Sequence, residues 1–362
     1  MSVRLPFPRF RFRPMIRPAL AAPLLRWRPL QRPLLLGTGL GFFALELLRA
    51  RMVLPARTWR CFRLLGLFLQ AGRQARSQLA PLLSGDPLRQ AERLRYARNC
   101  IVLVALQPDM APGKIQPTSA WLQPAALYGA CIPLYDGCFD QRPTRQARHL
   151  AADTAAALTD ATRSGTLAAL VPLLRRHGAR AEDAAAWEAL IRALDHWLQR
   201  QSPQRQRLLL LWMARMNDAQ LASLAERNIT LPLHERRRIS ALKGGVSFLL
   251  LRCLCLPEGS DPTGASDPIR AALLQAAAVA QWIDDYADLD DDRHLGIHTY
   301  IGRLEASGRA DATIRAGLRQ AAADLRQHYG SKAERFINSL GLYYALKRSL
   351  RFRARLQRAL ER

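Results

Sequence analysis

Sustained apolar–polar alternation is absent from this sequence, and β-branched residues are sparse. A half-buried strand needs such alternation, so nothing in the pattern indicates a sheet. Leu, Ala, Arg and Gln dominate instead, and these residues favour helices. Hydrophobic residues make up 49% of the 362 residues, which is ample for a core. The sequence therefore predicts an all-α fold.

The six cysteines contain no C-x-x-C pair, so the sequence offers no zinc ribbon or redox motif. They lie apart and mostly beside apolar residues, which is typical of reduced cysteines in a core. This pattern indicates a reducing, cytoplasmic location. The cysteines are Cys61, Cys100, Cys131, Cys138, Cys253 and Cys255.

Acidic residues are scarce: 29 Asp and Glu face 54 Lys and Arg, for a formal net charge of +25. Such a chain favours polyanions such as nucleic acid, an anionic membrane surface or diphosphates, although an arginine-rich coding bias would give the same excess. Zinc-finger, basic-zipper and aromatic RNA-binding signatures are missing, which argues against specific nucleic-acid recognition.

Residues 1–60 hold twelve Arg and a single acid, Glu46, and prolines recur up to Pro33. The apolar run Leu34–Leu45 that follows is too short to span a bilayer. Three alternatives stay open for it: a segment resting on a membrane surface, a helix packed on the domain, or a targeting segment. We divide the chain into a basic, partly apolar N-terminal extension, 1–80, and a catalytic helical domain, 81–362.

Long amphipathic helices separated by Pro and Gly dominate from about residue 87. The loop EGSDPTGASDP is the clearest break. The predicted helices span 87–106, 120–140, 144–162, 181–201, 204–226, 232–256, 267–291, 309–329 and 331–360.

The most specific pattern is the sequence WIDDYADLDDD, in which Asp284, Asp288 and Asp292 are spaced four apart and Asp285 follows the first. On one helix this spacing places three carboxylates on one face, about 5–6 Å apart. The apolar residues before them indicate burial, and a buried row of like charges needs a cation. Mg²⁺ fits, since it prefers a few carboxylates with phosphate oxygens and water. A solvated acidic face is the structural alternative.

A second pair, Asp136 and Asp140, repeats the four-residue spacing 148 positions before Asp284, within an apolar, aromatic segment. Two helices that each present such a pair can hold metal between them. Arg142 and Arg145 follow and could bind phosphate oxygens bidentately. The alternative is that both aspartates pair locally with these arginines.

Lys243 lies 41 positions before Asp284, early in an apolar helix, and two glycines follow it. Gly244 would let another helix or a phosphate approach the backbone closely. A lysine whose stem packs on the helix surface is the alternative.

Together these residues resemble the class I isoprenoid synthase superfamily, on its trans-prenyltransferase side. The second aspartate-rich motif of that family matches Gln281, Asp284, Asp285, Asp288, Asp292 and Gly296. Lys243 resembles the family's lysine motif, with Gly244 in place of its usual Thr. The first motif is reduced to Asp136 and Asp140, with Tyr135 in place of one leading Asp. The resemblance covers roughly residues 85–362.

The family's G-K-x-x-R-P site for isopentenyl diphosphate has no counterpart here, which favours a terpene synthase similar to the bacterial large-terpene synthases. The resemblance implies a helical bundle around a cavity in which the six aspartates bind Mg²⁺. It also implies that Arg142, Arg145 and Lys243 bind the substrate diphosphate and that Phe139, Trp282 and Tyr286 line the cavity.

Three other functions stay open: a trans-prenyltransferase or polyprenyl diphosphate synthase, a basic membrane-associated helical protein without activity, and an inactive family member. Peripheral membrane contact through residues 1–60 and a homodimer are further expectations. Substrate chain length and product skeleton are not specified by the sequence.

Overall fold

The computed structural model describes residues 61–83, 85–106, 119–255 and 269–361. Within these ranges the chain is helical and has no strand, which confirms the all-α prediction. The predictions for residues 1–60, including the run Leu34–Leu45, fall outside the described residues. No described helix is both long enough and apolar enough to be a candidate membrane span.

The α-helices follow the predicted pattern closely from Pro87 onward, with short 3-10 helices at Ala168–Leu170, Leu224–Arg227 and Gly330–Ala333. In chain order they are α1 (Cys61–Leu79), α2 (Pro87–Leu106), α3 (Ser119–Asp140), α4 (Thr144–Ser164), α5 (Leu173–Arg176), α6 (Ala181–Leu198), α7 (Pro203–Ser223), α8 (Leu233–Cys255), α9 (Ile269–Ala287), α10 (Leu289–His294), α11 (Tyr300–Ala306), α12 (Ala310–Tyr329) and α13 (Glu334–Glu361).

The helices pack as a closed ring: α1 lies on α2, α2 on α3, α3 on α4, α4 on α7, α7 on α8, α8 on α9, α9 on α13, and α13 returns to α1. Helix α6 covers α3, and α12 covers α9 from outside the ring. Cys100, Cys131 and Cys253 are buried, as predicted for cysteines of a core. Such a ring can enclose a cavity along its axis.

Helix α1 lies within the predicted N-terminal extension, 1–80, and packs on the bundle. Ala71, Ala75 and Leu79 lie four apart on its inner face, and all three are fully buried against the bundle. The helix also contacts α13, so it closes the ring. The bundle therefore includes residues that the sequence pattern assigned to the N-terminal extension, because α1 is rich in Arg on its outer face and resembles the basic segment before it.

Gly244 is where α8 and α9 come closest. A Cβ at this position would lie 2.5 Å from the carbonyl oxygen of Ala277, so the sequence prediction of a close helix approach is confirmed. We expect Gly244→Ala to lower the free energy of unfolding by about 1–3 kcal/mol, because the helices must separate. Gly66→Ala on α1, with open space around its Cβ, should instead be neutral or slightly stabilising. Urea denaturation measures both, and equal stability of the two variants would contradict this packing.

Candidate active site

The two aspartate rows meet at one end of a single cavity of about 380 Å³. Asp136 and Asp140 come from the last turn and a half of α3, and Asp284 and Asp285 come from the last turn of α9. All six predicted metal ligands line this cavity: Asp136, Asp140, Asp284, Asp285, Asp288 and Asp292. The rows lie far apart in sequence and are brought together because both helices belong to the ring.

The acidic segment itself is not one continuous helix, contrary to the predicted span 267–291. Helix α9 ends at Ala287, Asp288 adopts φ −95° and ψ 9°, and α10 begins at Leu289. The break releases the chain from the strict helical repeat at the point where the three carboxylates spaced four apart would crowd one face. Asp288 and Asp292 nevertheless still line the cavity.

Beyond the acidic end the cavity wall is mostly apolar and aromatic. The apolar residues come from nine of the α-helices, so the chamber reaches into the middle of the ring. The wall includes Phe68, Tyr128, Tyr135, Trp187, Ile191, Leu194, Met213, Phe248, Leu251, Phe336 and Leu340.

Four of the carboxyl groups form no direct ion pair with a side chain that the structure describes. Burial, then the neighbouring Asp140, raises the pKa of Asp136 to about 7, while burial, then Asp284, raises that of Asp288 to about 7. Burial, then Asp285, raises the pKa of Asp292 to about 9. Burial raises the pKa of Asp140 as well. Burial is the main cause of each shift, and neighbouring carboxylates add to it at Asp136, Asp288 and Asp292, so a divalent cation would favour the ionised forms.

Asp284 differs from these carboxylates because the protein already neutralises it. Lys347 Nζ and Tyr343 Oη each lie 2.7 Å from its Oδ1. Burial alone would raise the pKa of Asp284, but Lys347 and Tyr343 outweigh it, and the pKa lies below its usual range. Asp285 accepts hydrogen bonds from Gln281 Nε2 at 2.8 Å and Ser240 Oγ at 3.1 Å, and burial raises its pKa to about 6.

Lys243 lies in the same cavity and faces the other side of the acidic end. Burial lowers its pKa, but the carboxylates of Asp140 and Asp136 outweigh this and hold the pKa above its usual value. Among the described residues Lys243 forms no direct ion pair or hydrogen bond. Its ammonium group is therefore charged and has donors available for an anionic ligand.

The two arginines predicted to bind diphosphate are not brought to the cavity. Arg142 donates to the carbonyl of His177 and to Cys138 Sγ, and Arg145 is exposed on α4. Helix α3 ends at Asp140 and α4 begins after its N-cap Pro143, so neither arginine continues the aspartate face of α3. Arg227 lines the cavity instead, and its guanidinium donates to the carbonyl of Asp140 at 2.9 Å.

The three predicted cavity aromatics also lie elsewhere. Phe139 is fully buried in the core and is absent from the cavity wall. Trp282 packs on Tyr300, with ring centroids 5.4 Å apart, and the Tyr286 ring lies 4.5 Å from the Arg351 guanidinium. These side chains pack in the core on the sides of their helices that face away from the cavity.

Several residues at the acidic end were missed by sequence reasoning. Glu226 is 3% exposed and lines the cavity, and burial, then Asp285, raises its pKa to about 8. Arg236, fully buried, donates to the carbonyls of Glu226 and His298 and so ties the segment after α7 to the loop before α11. No spacing rule links these positions to the aspartates, because they meet only through tertiary packing.

The donor set fits Mg²⁺ that arrives with a phosphate ligand better than a site made by protein alone. In the described part of the chain, no three His, Cys, Asp or Glu side chains stand close enough to hold an ion by themselves. Mg²⁺ is commonly bound through one or two carboxylates together with substrate phosphate oxygens. Asp136, Asp140, Asp288 and Asp292 are the carboxylates with uncompensated charge.

The pKa shifts predict an unusual dependence of stability on pH. Because the folded carboxyls keep protons that the unfolded chain releases near pH 4, metal-free stability should fall between about pH 4 and pH 9. Each proton of difference contributes a slope of about 1.4 kcal/mol per pH unit. Denaturation at several pH values measures this slope.

Mg²⁺ added together with inorganic pyrophosphate should raise the melting temperature more at pH 8 than at pH 5, since only ionised carboxylates attract the cation. Sodium chloride at equal ionic strength is the control. An equal rise at both pH values, or the same rise with sodium, would contradict a divalent cation site at the acidic end.

Comparison with family models finds none that matches the chain, and a search of curated proteins finds no match either.

Proposed function

We propose that the chain is a Mg²⁺-dependent class I terpene synthase that ionises a prenyl diphosphate within an isoprenoid synthase-type helical bundle. One observation carries the proposal: six aspartates from two separate segments and Lys243 line one end of a cavity whose remaining wall is mostly apolar and aromatic. A prenyl diphosphate has the same division, with a highly charged head and an apolar tail. The cavity volume of about 380 Å³ suits a small ligand.

The chain's own residues would act in three ways. Lys243 and Arg227 would bind the diphosphate and favour the negative charge that grows on it as the C–O bond breaks. The carboxylates with raised pKa would hold Mg²⁺, which when bound supplies further positive charge to the leaving diphosphate. The apolar wall would exclude water from the allylic cation, and rings such as those of Tyr135 and Phe248 would offer it their π faces.

Incubation of the full chain with C10 to C35 prenyl diphosphates and Mg²⁺ tests the proposal. We expect free pyrophosphate together with a hydrocarbon or alcohol, and no turnover in EDTA. The assay is repeated with isopentenyl diphosphate, since a longer diphosphate product would identify a prenyltransferase instead. Absence of Mg²⁺-dependent pyrophosphate release from every substrate would refute both activities.

A further inference from the structure

Gln220 places an uncharged amide in the wall of the cavity. It lies on α7, lines the cavity and is only 2% exposed. Both polar atoms of its side chain, Oε1 and Nε2, are buried and have no hydrogen-bond partner within the described ranges. A buried polar group without a partner costs stability, and native structures keep few of them without a reason. The amide therefore has donor and acceptor capacity that a ligand inside the cavity could use.

The polar side chains next to Gln220 on α7 already have partners. Asn217, about one helical turn earlier, accepts a hydrogen bond from Tyr135 Oη at 2.7 Å and donates to the carbonyl of Ala151 at 3.0 Å. Ser223, three residues after Gln220, donates from its Oγ to the backbone carbonyl of Gln220 at 2.7 Å. Because these bonds hold both neighbours, neither of them completes the Gln220 amide. The hydrogen bonds that this amide can still form are left for a ligand.

Gln220 lies between the acidic end and the apolar part of the cavity. Arg227, seven residues later, donates to the carbonyl of Asp140, so the chain that follows α7 lies at the acidic end. Met213, seven residues before Gln220, belongs to the apolar wall. Seven residues of α-helix rise by about 10 Å. In a bound prenyl diphosphate, Gln220 would therefore face carbons of the chain rather than the diphosphate itself.

We propose that Gln220 binds the water molecule that ends the reaction, so that the main product is an alcohol. This inference rests on the proposed terpene synthase activity and adds the class of product to it. The amide oxygen would accept a hydrogen bond from the water, which leaves a lone pair of the water oxygen free to face the allylic cation. Because the rest of the wall is mostly apolar and excludes bulk water, the Gln220 amide would admit one positioned water molecule.

Water is the only co-reactant that this step needs. The bond between the prenyl carbon and the diphosphate oxygen breaks, and both of its electrons stay with the diphosphate. The water oxygen then forms a new bond to the cation and gives up one proton, which the departing diphosphate accepts. Prenyl diphosphate and water thus become an alcohol and protonated diphosphate, and nothing is oxidised or reduced.

Product analysis in water labelled with oxygen-18 tests the role of Gln220. The full chain is incubated with Mg²⁺ and C10 to C35 prenyl diphosphates, and pyrophosphate and organic products are measured in the same samples. We expect mostly alcohol that carries a labelled oxygen atom, together with unlabelled pyrophosphate. Gln220→Leu should lower the ratio of alcohol to hydrocarbon at least ~10-fold, since it removes the hydrogen bond that positions the water. Total pyrophosphate release should stay within ~3-fold, because water adds after the C–O bond breaks.

Gln204→Leu is the matched control, because it makes the same substitution at an exposed position of α7 that is absent from the cavity wall. It should leave the ratio of alcohol to hydrocarbon unchanged. Gln220→Met places an unbranched side chain of similar length at the site and should repeat the effect of Gln220→Leu without crowding its neighbours. Circular dichroism and the melting temperature show that each variant is folded. We expect neither to fall, because the removed amide has no described partner.

An unchanged ratio of alcohol to hydrocarbon in both Gln220 variants would overturn the proposal, as would a native product that is only hydrocarbon. Pyrophosphate release continues in both cases, so the proposed terpene synthase would stand without the water site. Loss of pyrophosphate release in both variants would also overturn it, since Gln220 would then act before the C–O bond breaks. Labelled pyrophosphate with unlabelled alcohol, or no pyrophosphate release from any substrate, would refute the terpene synthase and the water site together.

Discussion

The Asp288→Asn variant is expected to release diphosphate from a prenyl substrate at least ~100-fold more slowly than the native chain, and yet to be more stable in EDTA at pH 8. The carboxylate has a pKa of about 7 because burial and Asp284 oppose its ionisation. At pH 8 the folded chain must hold this charge without a direct ion pair from any side chain that the structure describes. An amide of the same shape removes that cost, so we expect a gain of about 1–3 kcal/mol.

Asp136→Asn should behave in the same way, since burial and Asp140 raise the pKa of Asp136 to about 7. A variant that gains stability and loses activity indicates a residue that serves function and destabilises the fold. Pyrophosphate release and urea denaturation on the same preparations measure both quantities. An inactive variant that is also less stable would show instead that the carboxylate supports the fold.

Asp183→Asn is the matched control, because the Asp183 carboxylate is paired with arginines, whereas Asp288 lies among other carboxylates. Asp183 accepts hydrogen bonds from Arg89 and Arg93 on the outer side of α2, and it is absent from the cavity wall. Its loss leaves the buried Arg93 without its main described carboxylate, so we expect lower stability by about 2 kcal/mol with activity per folded molecule kept. If Asp183→Asn and Asp288→Asn shifted stability in the same direction, the electrostatic distinction between them would be wrong.

Helix positions could be predicted from the sequence because local signals determine them. Proline, glycine and apolar periodicity mark the ends of most helices from α2 onward to within a few residues. The end of α9 at Ala287 escaped prediction, since nothing in the local pattern separates it from α10. Helix α1 escaped as well, because its burial depends on contacts with α2 and α13 that sequence periodicity alone does not reveal.

The candidate site could be predicted only where its residues lie on one helix at a spacing of four. Spacing of four placed Asp136 with Asp140 and Asp284 with Asp288, and the structure brings both pairs to one cavity. Proximity in sequence gave a wrong prediction for Arg142, which lies beyond the end of α3 and donates to the carbonyl of His177. Lys347 illustrates the converse: it lies 63 residues after Asp284 and contacts it directly, a relation that exists only once α9 and α13 pack.

Lys347→Met is expected to lower the free energy of unfolding by about 3 kcal/mol, because it leaves the Asp284 carboxylate with Tyr343 as its remaining close partner. The Lys347 side chain is 6% exposed and that of Asp284 is 27% exposed, so water would replace only part of the lost interaction. Lys332→Met, at an exposed position, is the control and should change stability by less than about 0.5 kcal/mol.

The double variant Asp284→Asn, Lys347→Met separates the charge pair from packing. The amide that replaces the carboxylate carries no charge and can still accept the hydrogen bond from Tyr343, so the double variant should regain at least half of the stability that Lys347→Met loses. Thermal and urea denaturation complete the cycle. Additive effects of the two substitutions would mean that Lys347 stabilises the bundle through its stem alone. In that case Asp284 would be as uncompensated as Asp288, and the division of the acidic end into one neutralised carboxylate and several unneutralised ones would be wrong.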